Sequence, residues 1–132
     1  MRIYITHCSA KKDDSLKGTG KKVRPQALYT AIPTQRFMNC CMQAGVNWAI
    51  FSDLYGVWFP DIEHEWYEKD PDYVTDCEFE DLLRDFETKL GAYHEVAFYY
   101  NPGRFHPLYK RLIQRTSLKI VEVTHLWEIR NV

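Results

Sequence analysis

The sequence predicts an α/β fold, a three-layer α/β/α sandwich around a four-stranded, mostly parallel sheet. Three observations predict it. Four short β-rich runs alternate with helix-patterned segments in the order βαβαβαβ, and such alternation builds parallel sheets with right-handed crossovers. The helical segments carry apolar residues at helical spacing, three or four apart. The 132 residues hold four strands and three helices in a single α/β domain, 1–132, with no second core.

Each element has its own signal. Residues 2–7, Arg-Ile-Tyr-Ile-Thr-His, alternate and are β-rich, so they make the first strand. Residues 9–24 are polar and contain glycine, the signature of a long loop. Pro33 opens the first helix and Gly45 closes it, with Phe37, Met38, Cys41 and Met42 on one face. Residues 47–52, Asn-Trp-Ala-Ile-Phe-Ser, form a second strand, and 53–74 a long aromatic and acidic loop. The second helix is the best-signalled element. Thr75 and Glu78 form a capping box, and Val74 with Phe79 fits a hydrophobic staple. Phe79, Leu82, Leu83, Phe86 and Leu90 follow at helical spacing, and Gly91 stops the run. Residues 95–100 are the third strand, Asn101-Pro-Gly a turn, and a helix runs from about Pro107 to Arg115 on Leu108, Leu112 and Ile113. Residues 118–124 are the fourth strand.

Composition excludes several classes. Hydrophobic residues are 45% and charged residues 27%, which argues against disorder. No apolar run reaches the ~18 residues of a membrane span, so no membrane association is expected. The N-terminus enters directly into a strand pattern with no signal-peptide layout. Cys8, Cys40, Cys41 and Cys77 lack paired spacing, so reduced thiols and a cytoplasmic location are expected. The formal net charge is −1, but residues 10–24 sum to +4 and residues 61–87 to −10. A uniformly basic nucleic-acid coat is therefore excluded. One basic loop meeting a phosphate is not.

In open α/β sheets, ligands bind beyond the carboxyl ends of the strands. Every strand end here carries chemically competent groups. His7, Cys8, Ser9, Lys11 and Lys12 follow the first strand. Cys8 is the candidate nucleophile, since nearby lysines lower a thiol's pKa, although most free cysteines are small buried hydrophobes. Ser52, Asp53, Tyr55, Gly56 and Trp58 follow the second strand, and Tyr55 and Trp58 are suited to stacking on a base. Asn101, Arg104 and His106 follow the third. Arg104 offers a planar fork to phosphate. His106 is a candidate acid/base or a residue capping the helix that begins at Pro107. His125, Trp127 and Glu128 follow the fourth strand. The Gly18-Thr-Gly20-Lys21-Lys22 stretch is not a Walker A loop. Glu63-His64-Glu65 lacks paired-histidine spacing, so neither metal nor other cofactor is expected.

Cys8-Ser9-x-Lys11-Lys12, Leu28-Tyr29-Thr30 and Ser52-Asp53-Leu54-Tyr55-Gly56 together resemble a small uncharacterised prokaryotic and phage α/β domain family. That resemblance spans nearly the whole chain and carries no settled activity. More distantly, Cys8-Ser9 followed by lysines is similar to the Pro-Cys-Ser-x-x-Lys motif of the archaeosine-synthase domain, which modifies a deazaguanine base in tRNA. His7 stands here in place of the proline. That likeness implies a uracil-DNA-glycosylase-like fold with strand order 2-1-3-4. The glycosylase Gly-x-Asp-Pro-Tyr motif is absent, and His106-Pro107 precedes the last strand rather than following it.

The leading expectation is thus an enzyme acting on a nucleotide, or on a base in nucleic acid, in modification or salvage. Catalysis falls to Cys8, His106 or Asp53. Substrate binding falls to Ser9, Lys11, Lys12, Tyr29, Ser52, Tyr55, Gly56, Trp58, Asn101 and Arg104. The alternatives are a non-catalytic nucleotide- or partner-binding module, and an N-glycosidic bond hydrolase using Asp53 or Glu128. Oligomeric state is not legible.

Overall fold

A computed structural model describes residues 1–131. In chain order its elements are β1 (Arg2–His7), β2 (Lys22–Val23), α1 (Pro25–Leu28), α2 (Ile32–Ala44), β3 (Asn47–Ser52), β4 (Gly56–Trp58), β5 (His64–Glu65), α3 (Asp76–Leu90), β6 (Glu95–Tyr99), α4 (Pro107–Arg115) and β7 (Ile120–Val123). Short 3-10 turns connect several of them.

The main sheet runs β4-β3-β1-β6-β7. β3, β1, β6 and β7 pair in parallel, and β4 folds back antiparallel on β3, placing Trp58 opposite Ile50. The sheet thus has five strands where four are predicted. The extra strand is only three residues long, and its glycine hides it from an alternation test. Gly56 has φ +75, and a Cβ there would overlap the Asp85 carboxylate, which accepts the Val57 N–H at 2.7 Å. The residue must be glycine for β4 to lie this close to α3. The loop expected at 53–74 also contains β5, which pairs antiparallel with β2 of the basic loop.

Helices cover both faces of the sheet. Phe37 of α2 packs edge-on to Trp48 and flat on Tyr99. On the opposite face Phe86 of α3 and Tyr109 of α4 both meet Phe51 edge-on. The central strands β1, β3 and β6 are buried along most of their length, as strands covered on both faces are. Helix α2 ends in a left-handed Gly45. Met42, expected on its apolar face, is instead 47% exposed, while Thr34 is buried. Helix α3 begins at the Thr75–Glu78 capping box, and Phe79, Leu82, Leu83, Phe86 and Leu90 are all buried. No helix among the described residues is long and apolar enough to cross a membrane.

Candidate functional site

The chain leaves β1 toward β3 on one side and later returns to place β6 on the other. Strand order therefore switches at β1, where α/β sheets open their ligand crevice. A cleft of about 260 Å³ lies at that point. Its walls are the loop after β1 (Cys8, Ser9, Lys12), Asp53 at the end of β3, Arg104 and His106 before α4, Tyr109 one turn into α4, and Lys69 with Pro71 from the acidic loop.

Asp53 sits in the tight turn joining β3 to β4. It is only 4% exposed, and its Oδ1 has no hydrogen-bond partner. Burial raises its carboxyl pKa above the usual range, against the opposing pull of the Cys8 thiol and the Lys12 and Lys69 charges. A buried carboxylate oxygen without a hydrogen bond costs stability, which marks Asp53 as a candidate functional group. Ser52 builds the turn that holds it. The Ser52 hydroxyl accepts the Leu54 and Tyr55 N–H groups at 3.1 and 3.0 Å and donates to Tyr67 Oη at 3.0 Å. Tyr67 in turn bonds Tyr29 Oη at 2.5 Å. Ser52 and Tyr29 are fully buried; they hold the loop and do not face a ligand.

Cys8 is 7% exposed, with its Sγ 3.4 Å from Tyr109 Oη. Burial, then the neighbouring Asp53 carboxylate, push its thiol up to about 11. This corrects the activated-nucleophile reading. Lys11 points to solvent outside the cleft. The Lys12 ammonium lies 3.4 Å from the Ala10 carbonyl and 4.5 Å from the Tyr67 ring. Neither stabilises a thiolate.

His106 is likewise corrected. Its Nδ1 accepts the Leu108 N–H at 3.0 Å, so its Nε2–H donates to Asp72 Oδ1, 2.5 Å away. Both ring nitrogens are occupied, and the residue caps α4 and clamps the 71–73 turn against it. His7 has the freer ring. Its Nδ1–H donates to the Cys8 carbonyl at 2.8 Å, which leaves the Nε2 lone pair available. The ring stacks on Tyr109 at 4.8 Å, and burial lowers its pKa. Asp53 and His7 both border the cleft, and burial favours the uncharged form of each.

Of the other expected site residues, Ser9 and Arg104 line the cleft. Asn101 lies beside it, its side chain accepting the Gly103 N–H at 2.9 Å. Trp58 does not belong to it. It is fully buried, with its indole N–H donated to the Ile62 carbonyl, so it is core and not a stacking platform. The Tyr55 ring stacks on His64 at 3.9 Å. Tyr55 and Gly56 border a separate acidic cavity beyond Asp53, beside Asp81 and Asp85, whose charge repels a phosphate. Glu128 accepts the Thr124 and His125 N–H groups and is used up as a cap. Among the cleft residues with polar side chains, His7, Lys69 and Tyr109 lay outside the expected catalytic and binding set. Tyr109 follows His106 by three residues, so helical spacing alone places both on one side of α4. Nothing in the sequence marks Lys69.

Compared with known protein families, curated proteins and solved structures, the chain matches none. The fold and cleft define it as an α/β protein with a mostly parallel five-stranded sheet and a cationic crevice over a buried carboxylate.

Proposed function

We propose that this chain is a cytoplasmic enzyme acting on a nucleotide, or on a base in nucleic acid, in the cleft at the carboxyl ends of β1 and β3. The observation that carries the reading is Asp53, a buried carboxylate with an unpaired oxygen beneath a mouth lined by Lys12 and Arg104. Cations at the rim suit a phosphate, and a buried carboxyl group of raised pKa in a cleft is a candidate for proton transfer. Asp53 is the proton-transfer group, His7 is a second titratable group on the cleft wall, Lys12 and Arg104 hold phosphate, and the Cys8 thiol lines the cleft in its protonated form. The three-layer, uracil-DNA-glycosylase-like arrangement and the distant similarity to the archaeosine-synthase domain belong to the same proposal.

The hydrolytic reading has a specific observation in its favour, since Asp53, not Cys8, is the group poised for chemistry. The Asp53 carboxylate takes a proton from water. The water oxygen bonds C1′ as the C1′–N bond breaks, and the electron pair leaves with the base, which takes up a proton from solvent while Asp53 later returns its own to solvent. Asp53→Asn then retains nucleotide binding, measured as a rise in melting temperature, and loses base release or modification, followed by chromatography of nucleotides and oligonucleotides. Binding without any turnover in the wild type would leave a non-catalytic binding module. A melting temperature that no nucleotide raises would remove the proposal.

A further inference from the structure

The cleft over Asp53 is not the only space at this end of the sheet. A second cavity of about 170 Å³ opens on the other side of the β1 end, between α2 and the end of β6. Thr34, Tyr99 and Tyr100 wall it, while His7, Ser9 and Arg104 border both spaces. Small-molecule sites occupy roughly 300–1,000 Å³. Neither cavity reaches that range alone, and the two together do.

We infer that the site takes a ligand of two ring-bearing units joined through a phosphodiester, one unit in each cavity, with Arg104 on the joining phosphate. This rests on the nucleotide reading above and narrows it to a phosphodiester-linked substrate.

The rings of the second cavity are in place before a ligand arrives. Tyr99 lies flat on Phe37 at 5.7 Å, and Tyr100 on Phe105 at 4.1 Å. Held side chains lose little freedom on binding. The ridge between the cavities carries donors. Thr34 Oγ1 donates to the Ser9 hydroxyl at 3.1 Å, so the Ser9 O–H is free to donate in turn. Arg104 is exposed at the shared rim, and its side chain has no hydrogen-bond or ion-pair partner among the described residues. A guanidinium fork fits two oxygens of one phosphate, and a single fork at the waist fits a single linking phosphate.

The test compares dinucleoside monophosphates with the matching nucleoside 5′-monophosphates by titration calorimetry. The dinucleotides should bind at least about tenfold tighter, the scale of one base stacked on an aromatic side chain. Ala31→Phe, which puts a bulky ring at the residue that caps α2 and lines the second cavity, should bring dinucleotide affinity down to the mononucleotide level. Arg104→Gln, at an exposed position that leaves the fold intact, should weaken the dinucleotide about tenfold, the scale of a lost charge-assisted bond. Equal affinity for both ligand classes in the wild type, or a dinucleotide affinity unmoved by Arg104→Gln, overturns the inference and leaves the nucleotide reading standing. Binding of neither class overturns both.

Discussion

Cys8 is closed off from solvent and lies against Asp53 and Tyr109. A thiolate there would be desolvated and repelled by the neighbouring carboxylate, so the proton stays on sulfur. With its thiol near 11, Cys8 carries roughly a hundredfold less thiolate than an ordinary cysteine. Iodoacetamide at neutral pH should therefore label the exposed Cys77 first and leave Cys8 unmodified until the protein unfolds. Peptide mass mapping checks this, and equal labelling of the two would defeat it. Asp53 gives the complementary prediction. Its folded pKa lies above its unfolded value, so the folded state binds the extra proton and loses stability as pH rises through that window. Asp53→Asn, which removes the charge, should raise the melting temperature at pH 7. That gain should shrink as pH falls and vanish well below the ordinary Asp pKa of about 4, where the wild-type carboxyl is protonated in both states. A gain independent of pH would show that the charge is not the cost.

At the scale of elements, α3 and α4 follow from patterns a few residues long. A capping box, a helical stripe and a proline at the first turn are local physics, and they set both helices where the structure has them. β4 does not follow that way. It exists because Gly56 lets the chain turn back beside α3, where Lys89 ties the Val57 carbonyl at 3.0 Å and Asp85 takes its N–H. Gly56→Ala meets both a positive φ and the Asp85 carboxylate. It should cost at least about 1–2 kcal/mol in urea unfolding, and it should disturb Asp53, three residues away, enough to weaken nucleotide binding. A variant as stable as the wild type would mean that β4 is not pinned by this contact. The histidine at 106 shows the same limit at an element's end. Its place before Pro107 is legible as a cap or as an acid/base. Only its contact with Asp72, from a turn far off in the chain, settles it as a clamp.

At the scale of the whole molecule, the two lopsided charge runs turn out to face opposite charge. Lys22 lies opposite Glu65 where β2 pairs β5, and Lys17 sits over the Trp66 ring. Arg111 and Arg115 of α4 pair with Asp76 and Glu80 of α3. Most of the acidic 61–87 segment is thereby solvated surface or helix–helix pairing, each exposed pair contributing no more than about 1 kcal/mol. Lys12 and Arg104 remain at the cleft mouth. If Arg104 meets the linking phosphate, dinucleotide affinity should fall by up to about threefold between 50 and 200 mM salt. Salt-independent binding, read in the same titrations, would place the phosphate elsewhere.

Read alone, the sequence determined the alternation of strands and helices, the parallel character of the sheet, the buried face of α3 and the strand ends where chemistry gathers. Those depend on periodicity, caps and turns, interactions between residues close in the chain. The tertiary structure decided which of the gathered side chains reach the cleft and in what ionic state. Trp58 went to the core, Tyr29 and Ser52 to a buried hydroxyl chain, and Asp53 and His7 to the crevice floor. Dielectric environment and packing depend on neighbours brought together from distant segments, and no local pattern of residues encodes them.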